Sequence, residues 1–342
     1  MGFTIKDILR LEVTPALGCT EPAAVGLAAA AAAAVLPEKD LSAVEVWLDP
    51  GIYKNASGVA IPGTRGEYGI NLAAALGAMA GDADLRLEVF KPIEAEALRM
   101  ARDFINAGRV RVNLLHDRKG IYVRARIRGE RDEAEAVIEN AHDALTSLSL
   151  NGKAFKDHPL LSSPSGDTGR LRELEAWLAG RTLEEMTLML DGLDGDDMAF
   201  IEEGLRCNLA LAEHGLKFGP GLGIGLMLER LVREGLLKKD MIMQARILTS
   251  AASDARMSGV KLPAMSSAGS GNHGLTAILP IWAVKDYIFC DDPSRVLRSM
   301  ALSHVLTGFI KAHTGRLSAV CGCSVAAGAG AAGGIAYLMN GT

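Results

Sequence analysis

Aromatic residues make up only 5% of the 342-residue chain, and it carries just five cysteines. With so few rings, the core must close through small side chains and near backbone contacts, for which 38 glycines are available. Five cysteines in 36 kDa exclude a disulfide-built scaffold, and the odd number fits a reducing, cytoplasmic compartment. A strong charge of one sign is also missing. A net charge of -5 and a pI near 5.9 give no global signal for nucleic acid or an anionic membrane. Two runs come nearest to a membrane span, Ala23 to Leu36 and Leu317 to Met339. Alanine and glycine dominate both, and the first is too short to cross a bilayer, so both read as buried helices that neighbours approach closely. No secretory leader is visible, and Gly2 lacks the downstream serine or threonine of a myristoylation site.

What is present is a 49% apolar chain, long enough to bury a large core and to divide into two domains. Thr20-Glu21-Pro22 reads as a helix start, with Thr20 as N-cap, and the helix runs to Val35 before Pro37. Alternation predicts strands at 43–48, 85–90, 110–114 and 121–127, with Arg109 to Arg128 as a hairpin. Helices are expected at 67–80, 92–106 and 132–146. From about residue 170 the pattern is helical throughout. The predicted fold class is therefore α+β: a mostly helical domain with an inserted small α/β sandwich. The expected limits are 1–41 for N-terminal helices packing on the C-terminal helical domain, 42–150 for the insert, 151–168 for a linker and 169–342 for the helical domain.

Four elements carry candidate chemistry. Cys19 lies where unpaired helix N–H groups favour a thiolate, a nucleophile or soft-metal ligand, though a buried structural thiol is an equal reading. Glu21 is an acid or base, or simply a first-turn carboxylate. Cys321-Gly322-Cys323 is a weaker signature than Cys-x-x-Cys, and a structural zinc would ask for four ligands, with His273 and His313 as available nitrogens. Cys207 and Cys290 read as structural. Met265 to Gly274 is a serine–glycine loop entering a helix, an anion cradle in form. It is neither a P-loop nor a dinucleotide fingerprint. His273 at its end is a proton carrier or a capping histidine. Gly51 to Gly66 reads as a long loop in which Lys54 or Arg65 could meet a carboxylate.

Taken together, Gly18-Cys19-Thr20-Glu21-Pro22, Ile52-Tyr53-Lys54-Asn55 through Pro62-Gly63-Thr64, Ser266-Ser267-Ala268-Gly269-Ser270-Gly271-Asn272 and Gly315-Arg316-Leu317-Ser318 with Cys321-Gly322 resemble the L-cysteine desulfidase family. That family is related to the alpha domain of iron–sulfur L-serine dehydratases, so the resemblance implies a serine dehydratase alpha-like identity for the helical domain. It also implies a lyase that eliminates sulfide from L-cysteine, or water from L-serine, to leave pyruvate and ammonia. The cofactor implied for the complete protein is a 4Fe–4S cluster, with Cys19 and Cys321 matching two of its ligands. The third family cysteine belongs to a Cys-Asp-Gly-Ala-Lys motif that the chain ends before reaching, and Cys323 is a neighbour more than a substitute. The chain therefore resembles a truncated form in which the cluster is in doubt, and a cluster-less small-molecule binder is the alternative.

By the same likeness Lys54 and His273 are the catalytic candidates, although the family often has glutamine in place of His273. Asn55, Thr64, Ser266, Ser267, Gly269, Ser270, Gly271 and Asn272 would bind the substrate, a small amino acid. Neither nucleic acid nor membrane is implied, a homo-oligomer is admitted, and pyridoxal phosphate has no clear Schiff-base lysine here.

Overall fold

The computed structural model describes residues 2–37, 40–161, 168–315 and 321–341. In chain order the first elements are α1 (Ile5–Glu12), β1 (Pro15–Leu17), α2 (Thr20–Ala34), β2 (Ala43–Leu48), α3 (Pro50–Ala56), α4 (Ile70–Ala80) and α5 (Ala95–Asn106). Five strands follow: β3 (Val110–Leu114), β4 (Tyr122–Arg128), β5 (Glu133–Glu139), β6 (Leu145–Leu150) and β7 (Lys153–Ala154). The remainder is α6 (Thr168–Ala179), α7 (Leu183–Leu188), α8 (Gly195–Phe218), α9 (Ile224–Arg233), α10 (Met241–Met257), β8 (Pro263–Met265), α11 (Gly271–Lys285), α12 (Pro293–Thr314) and α13 (Gly328–Leu338). The structure is predominantly helical, with a small inserted β-sheet region. It forms two compact units. One comprises Met1–Pro15, Gly169–Arg256 and Leu262–Thr342; the other comprises Ala16–Thr168 and Met257–Lys261.

The second unit is built around α2. Its alanines leave it apolar on every side, and residues 20–33 are buried, so it needs neighbours all round. The six-stranded sheet, ordered β3-β2-β4-β5-β6-β7, supplies one wall. Alternating Val123, Ala125, Ile127, Ala134, Ala136 and Ile138 are buried, while Arg124, Arg126 and Glu135 face the other way. On another side α4 crosses α2 at a pair of glycines. A Cβ on Gly77 would lie 2.3 Å from the Gly26 carbonyl oxygen, so only glycine allows this approach.

Several sequence expectations are corrected here. The helix expected at 132–146 is β5, a turn and the start of β6. Alanine and glutamate suggested a helix, but Glu133-Ala134-Glu135-Ala136 alternates with a period of two and pairs with β4. The strand expected at 85–90 is largely a 3-10 turn, with Arg86 at φ 51. Arg109 to Arg128 is not a hairpin: β2 lies between β3 and β4, parallel to the first and antiparallel to the second. The loop expected from Gly51 begins as α3, because Asp49 caps it through the Gly51 and Ile52 N–H groups and Pro50 starts the first turn. Within its own unit α2 packs against α4, β4 and β5. Part of the expected linker, 162–167, lies outside the described residues.

The helical unit packs α1, α6, α8, α11, α12 and α13 on a core that includes Ile8, Leu9, Leu174, Leu178, Leu205, Ile278, Ile281, Met300 and Val305. Glycines again set the closest crossing. Gly330 and Gly334 bring α13 against the Ser303 and Ser299 carbonyls of α12, where a Cβ would come within 2.6 Å of either oxygen. A single π turn, Cys323–Ala327, leads into α13.

Candidate active site

In the helical unit the chain leaves β8 and makes a tight turn before α11. Asn208 on α8, fully buried, holds the strand end by accepting from the Met265 N–H at 2.9 Å and donating to the Met265 carbonyl at 3.3 Å. Ser266 and Ala268 donate their N–H groups to the Thr14 and Glu12 carbonyls, at 2.8 and 2.9 Å. Ser267 and Ser270 exchange both backbone bonds. Ala268 and Gly269 stand at φ 46 and 77, the sign pattern of a type I′ turn. The left-handed conformation costs Ala268 about 1–2 kcal/mol, so neighbours must hold it there.

These bonds narrow the cradle that the sequence suggests. The N–H groups of Ser266, Ser267, Ala268 and Ser270 serve other backbone carbonyls, and the Ser266 hydroxyl accepts from the Thr14 N–H at 3.2 Å. The first turn of α11, which starts at Gly271, directs its N–H groups to the same place. Arg256 reaches the same place. Its guanidinium fills the space that a Cβ on Gly271 would need, 2.4 Å from Nε, and its Nη1 donates to Asn272 Oδ1 at 2.9 Å. Arg256 is buried, so positive charge and helix dipole meet at one point.

His273 is buried beside this turn. Its Nδ1 is 3.2 Å from the Ser267 carbonyl oxygen, which can only accept, so Nδ1 carries the proton of the neutral ring and Nε2 keeps a lone pair. Burial holds its pKa down at about 4, with the charges of Lys311 and Arg256 adding to the effect and bonds to the Ser267 and Ala268 backbone opposing it. Nε2 faces the Cys-Gly-Cys turn: a Cβ on Gly322 would lie only 2.2 Å from it. The serine–glycine loop and Cys321-Gly322-Cys323, far apart in sequence, thus meet at His273. Burial pushes the Cys323 thiol up to about 12, with Cys321 adding to it and Arg256 and Thr276 opposing. Cys321 itself is exposed. Arg316-Leu317-Ser318 lie outside the described residues.

The other unit holds the remaining candidates. Cys19 is the N-cap of α2, one residue before the expected Thr20, and makes no side-chain cap bond. Its Sγ lies 2.7 Å from Glu21 Oε2, and Asn55 Nδ2 donates to Glu21 Oε1 at 2.9 Å. Glu21 is buried. Burial works to raise its pKa, but the charge of His142 and the bonds from Cys19 and Asn55 prevail and hold it at about 2. Gly18, at φ 70, fastens this end of α2 to the 61–64 turn, since a Cβ there would lie 2.5 Å from Pro62 Cγ. The Thr64 hydroxyl is spent inside that turn, 2.7 and 3.0 Å from the Ile61 and Glu67 carbonyls. Lys54 is exposed on α3.

With this geometry in view, comparison with known proteins decides the family. A family profile described as "Serine dehydratase alpha chain" matches residues 133–342, more than half of the chain. The chain belongs to the serine dehydratase alpha chain family. Relatives include a UPF0597 protein of Desulfatibacillum aliphaticivorans, 54% identical over all of this chain and 78% of the relative. A UPF0597 protein of Clostridioides difficile is 40% identical over 98% of this chain and 78% of its own length. One of Geobacter sulfurreducens is 38% identical over 98% and 76%.

The cluster that the desulfidase resemblance implies finds an incomplete donor set. Among the described residues, no three of His, Cys, Asp and Glu come together as metal ligands. Among the described residues the donor set does not fit the group, and no chemical step below passes through it. Also among the described residues, no helix is long and apolar enough to cross a membrane.

Sequence reading missed Arg256, Asn208, His304, Lys311 and His142. For Arg256 a signal existed, a lone arginine ending the small-residue run Ala251-Ala252-Ser253-Asp254-Ala255. Asn208 and His304 gain their meaning only from partners distant in sequence, at separations of 57 and 37 residues.

Proposed function

We propose that this chain carries the site of a lyase for a small α-amino acid, and that its reaction is β-elimination from L-cysteine to pyruvate, ammonia and hydrogen sulfide. The family relation supports the lyase class. The observation that carries the chemistry is His273, a neutral buried imidazole anchored through Nδ1 with its Nε2 lone pair turned to the Cys-Gly-Cys turn. The substrate carboxylate is placed at the first turn of α11 beside Arg256, where N–H groups and a guanidinium converge. Its negative charge offsets the field of Arg256 and Lys311, the charges that help to hold His273 low, and so makes Nε2 a stronger base once substrate is bound.

His273 Nε2 then takes the Cα proton. The electron pair forms the Cα–Cβ double bond as the Cβ–S bond breaks and sulfide leaves. The resulting aminoacrylate tautomerises, and water hydrolyses the imine to pyruvate and ammonia.

L-Serine as substrate is the nearest alternative, by the same steps with water leaving. The incomplete donor set among the described residues favours one further reading, a homologue that binds the amino acid without turning it over. The test is an anaerobic assay of the purified protein, supplied with iron and sulfide, on L-cysteine and on L-serine. Equal amounts of sulfide and pyruvate from L-cysteine support the desulfidase. Pyruvate from L-serine alone supports the dehydratase. Calorimetric binding of L-cysteine without product supports the binder, and neither binding nor product sinks all three.

A further inference from the structure

Ser267 is gripped by a histidine on each side. Its carbonyl accepts from His273 Nδ1 at 3.2 Å, and its hydroxyl lies 2.9 Å from Nδ1 of His304 on α12. All three residues are buried. We propose that His304 is a positioning residue: through the Ser267 hydroxyl it fixes the turn whose carbonyl sets the tautomer of His273. This deepens the reading of His273 as the proton-handling group and rests on it.

The reasoning starts from Ala268. A non-glycine residue at φ 46 stays there only while its surroundings over-determine it. Thr14 and Glu12 hold Ser266 and Ala268 from one side. His304 is the tie from α12. Its helix neighbours cannot replace it, because the Ser303 hydroxyl donates to the Ala277 carbonyl and the Thr307 hydroxyl to the Ser303 carbonyl. Removing the imidazole frees the Ser267 hydroxyl to seek a backbone carbonyl, and the turn rotates with it. His273 Nδ1 then loses the Ser267 carbonyl as acceptor, and the preference that keeps the proton off Nε2, the atom that faces Gly322, is weakened.

The test reads the tautomer directly, on the whole chain with nitrogen-15-labelled histidine, by long-range proton–nitrogen spectra at neutral pH. Wild type should show His273 as the single Nδ1–H form. His304→Leu should convert it to a mixture of both forms. His304→Asn, whose amide reaches the position of Nδ1, should restore the single form. Turnover of L-cysteine should fall about tenfold in kcat in His304→Leu, with KM little changed, and recover in His304→Asn. Should leucine prevent folding, Ser267→Ala removes the same bond from the other side and is read in the same way.

A single Nδ1–H form in folded His304→Leu, or in Ser267→Ala where that is the variant read, overturns the proposal, because a merely structural role would lower Tm without moving the tautomer. Absence of turnover in wild type would overturn the proposed reaction instead, and the tautomer experiment would still decide the role of His304.

Discussion

His273 Nε2 and Gly322 are in such close contact that a Cβ on the glycine would stand 2.2 Å from the ring nitrogen. One missing methyl group therefore joins the serine–glycine turn to the Cys-Gly-Cys turn. Gly322→Ala should displace either the ring or the turn, at a cost of about 1–3 kcal/mol in stability as an overpacked contact. Its effect on turnover should exceed its effect on folding, with sulfide release from L-cysteine reduced at least about tenfold at a temperature where the variant remains folded. Thermal melting and initial rates on the same preparation check this.

The two buried histidines predict a pH dependence. Burial holds His273 and His304 at about 4, against an ordinary value of 6.5. Both are therefore neutral in the folded protein, while the unfolded chain takes up a proton on each as pH falls through 6.5. The stability they contribute is complete above that value and declines as pH drops toward 4, by up to ~3 kcal/mol for each. Denaturant unfolding at a series of pH values should show this slope. His304→Asn should flatten it by about half, and an unchanged slope would contradict the neutral assignment of His304.

The crossing of α2 and α4 gives a prediction about the fold alone. Gly77→Ala places a methyl 2.3 Å from the Gly26 carbonyl, a contact with backbone that no rotamer change relieves. The variant should lose about 1–3 kcal/mol, as overpacking does. Gly58→Ala serves as the control, because no atom lies within 4 Å of a Cβ there. Equal melting temperatures for the two variants would contradict the packing described.

Cys19 caps α2 without a side-chain cap bond, but its Sγ donates to the buried Glu21 carboxylate, so Cys19→Ala should cost about 1–3 kcal/mol in stability. In a protein with the complete donor set, the same substitution should abolish iron uptake in anaerobic reconstitution if Cys19 is a cluster ligand. Normal iron and sulfide content in a folded Cys19→Ala protein would remove Cys19 from that role.

Much of the helical unit was legible in the sequence, and the reason is local. Asp292-Pro293 starts α12 with a capping aspartate and a proline in the first turn, and α8 ends at Gly219 in the left-handed conformation. The sheet was harder. Strand β5 was obscured because alanine and glutamate favour helices, although its alternation was plain. The place of β2 between β3 and β4 is a long-range pairing that no local pattern carries. The site divides in the same way. Gly322, Ser267 and His273 stood out by type and spacing, but their meeting did not. His304 carries no local signal, because its partner lies 37 residues away.

The most direct measurement of the central claim is sulfide and pyruvate production from L-cysteine by wild type and His273→Ala, assayed anaerobically after reconstitution with iron and sulfide. The geometry of His273 predicts one pyruvate per sulfide from wild type. It also predicts a loss of at least about a hundredfold in kcat for the variant, the scale of a missing general base. Full activity in His273→Ala, or no product from wild type, would contradict it.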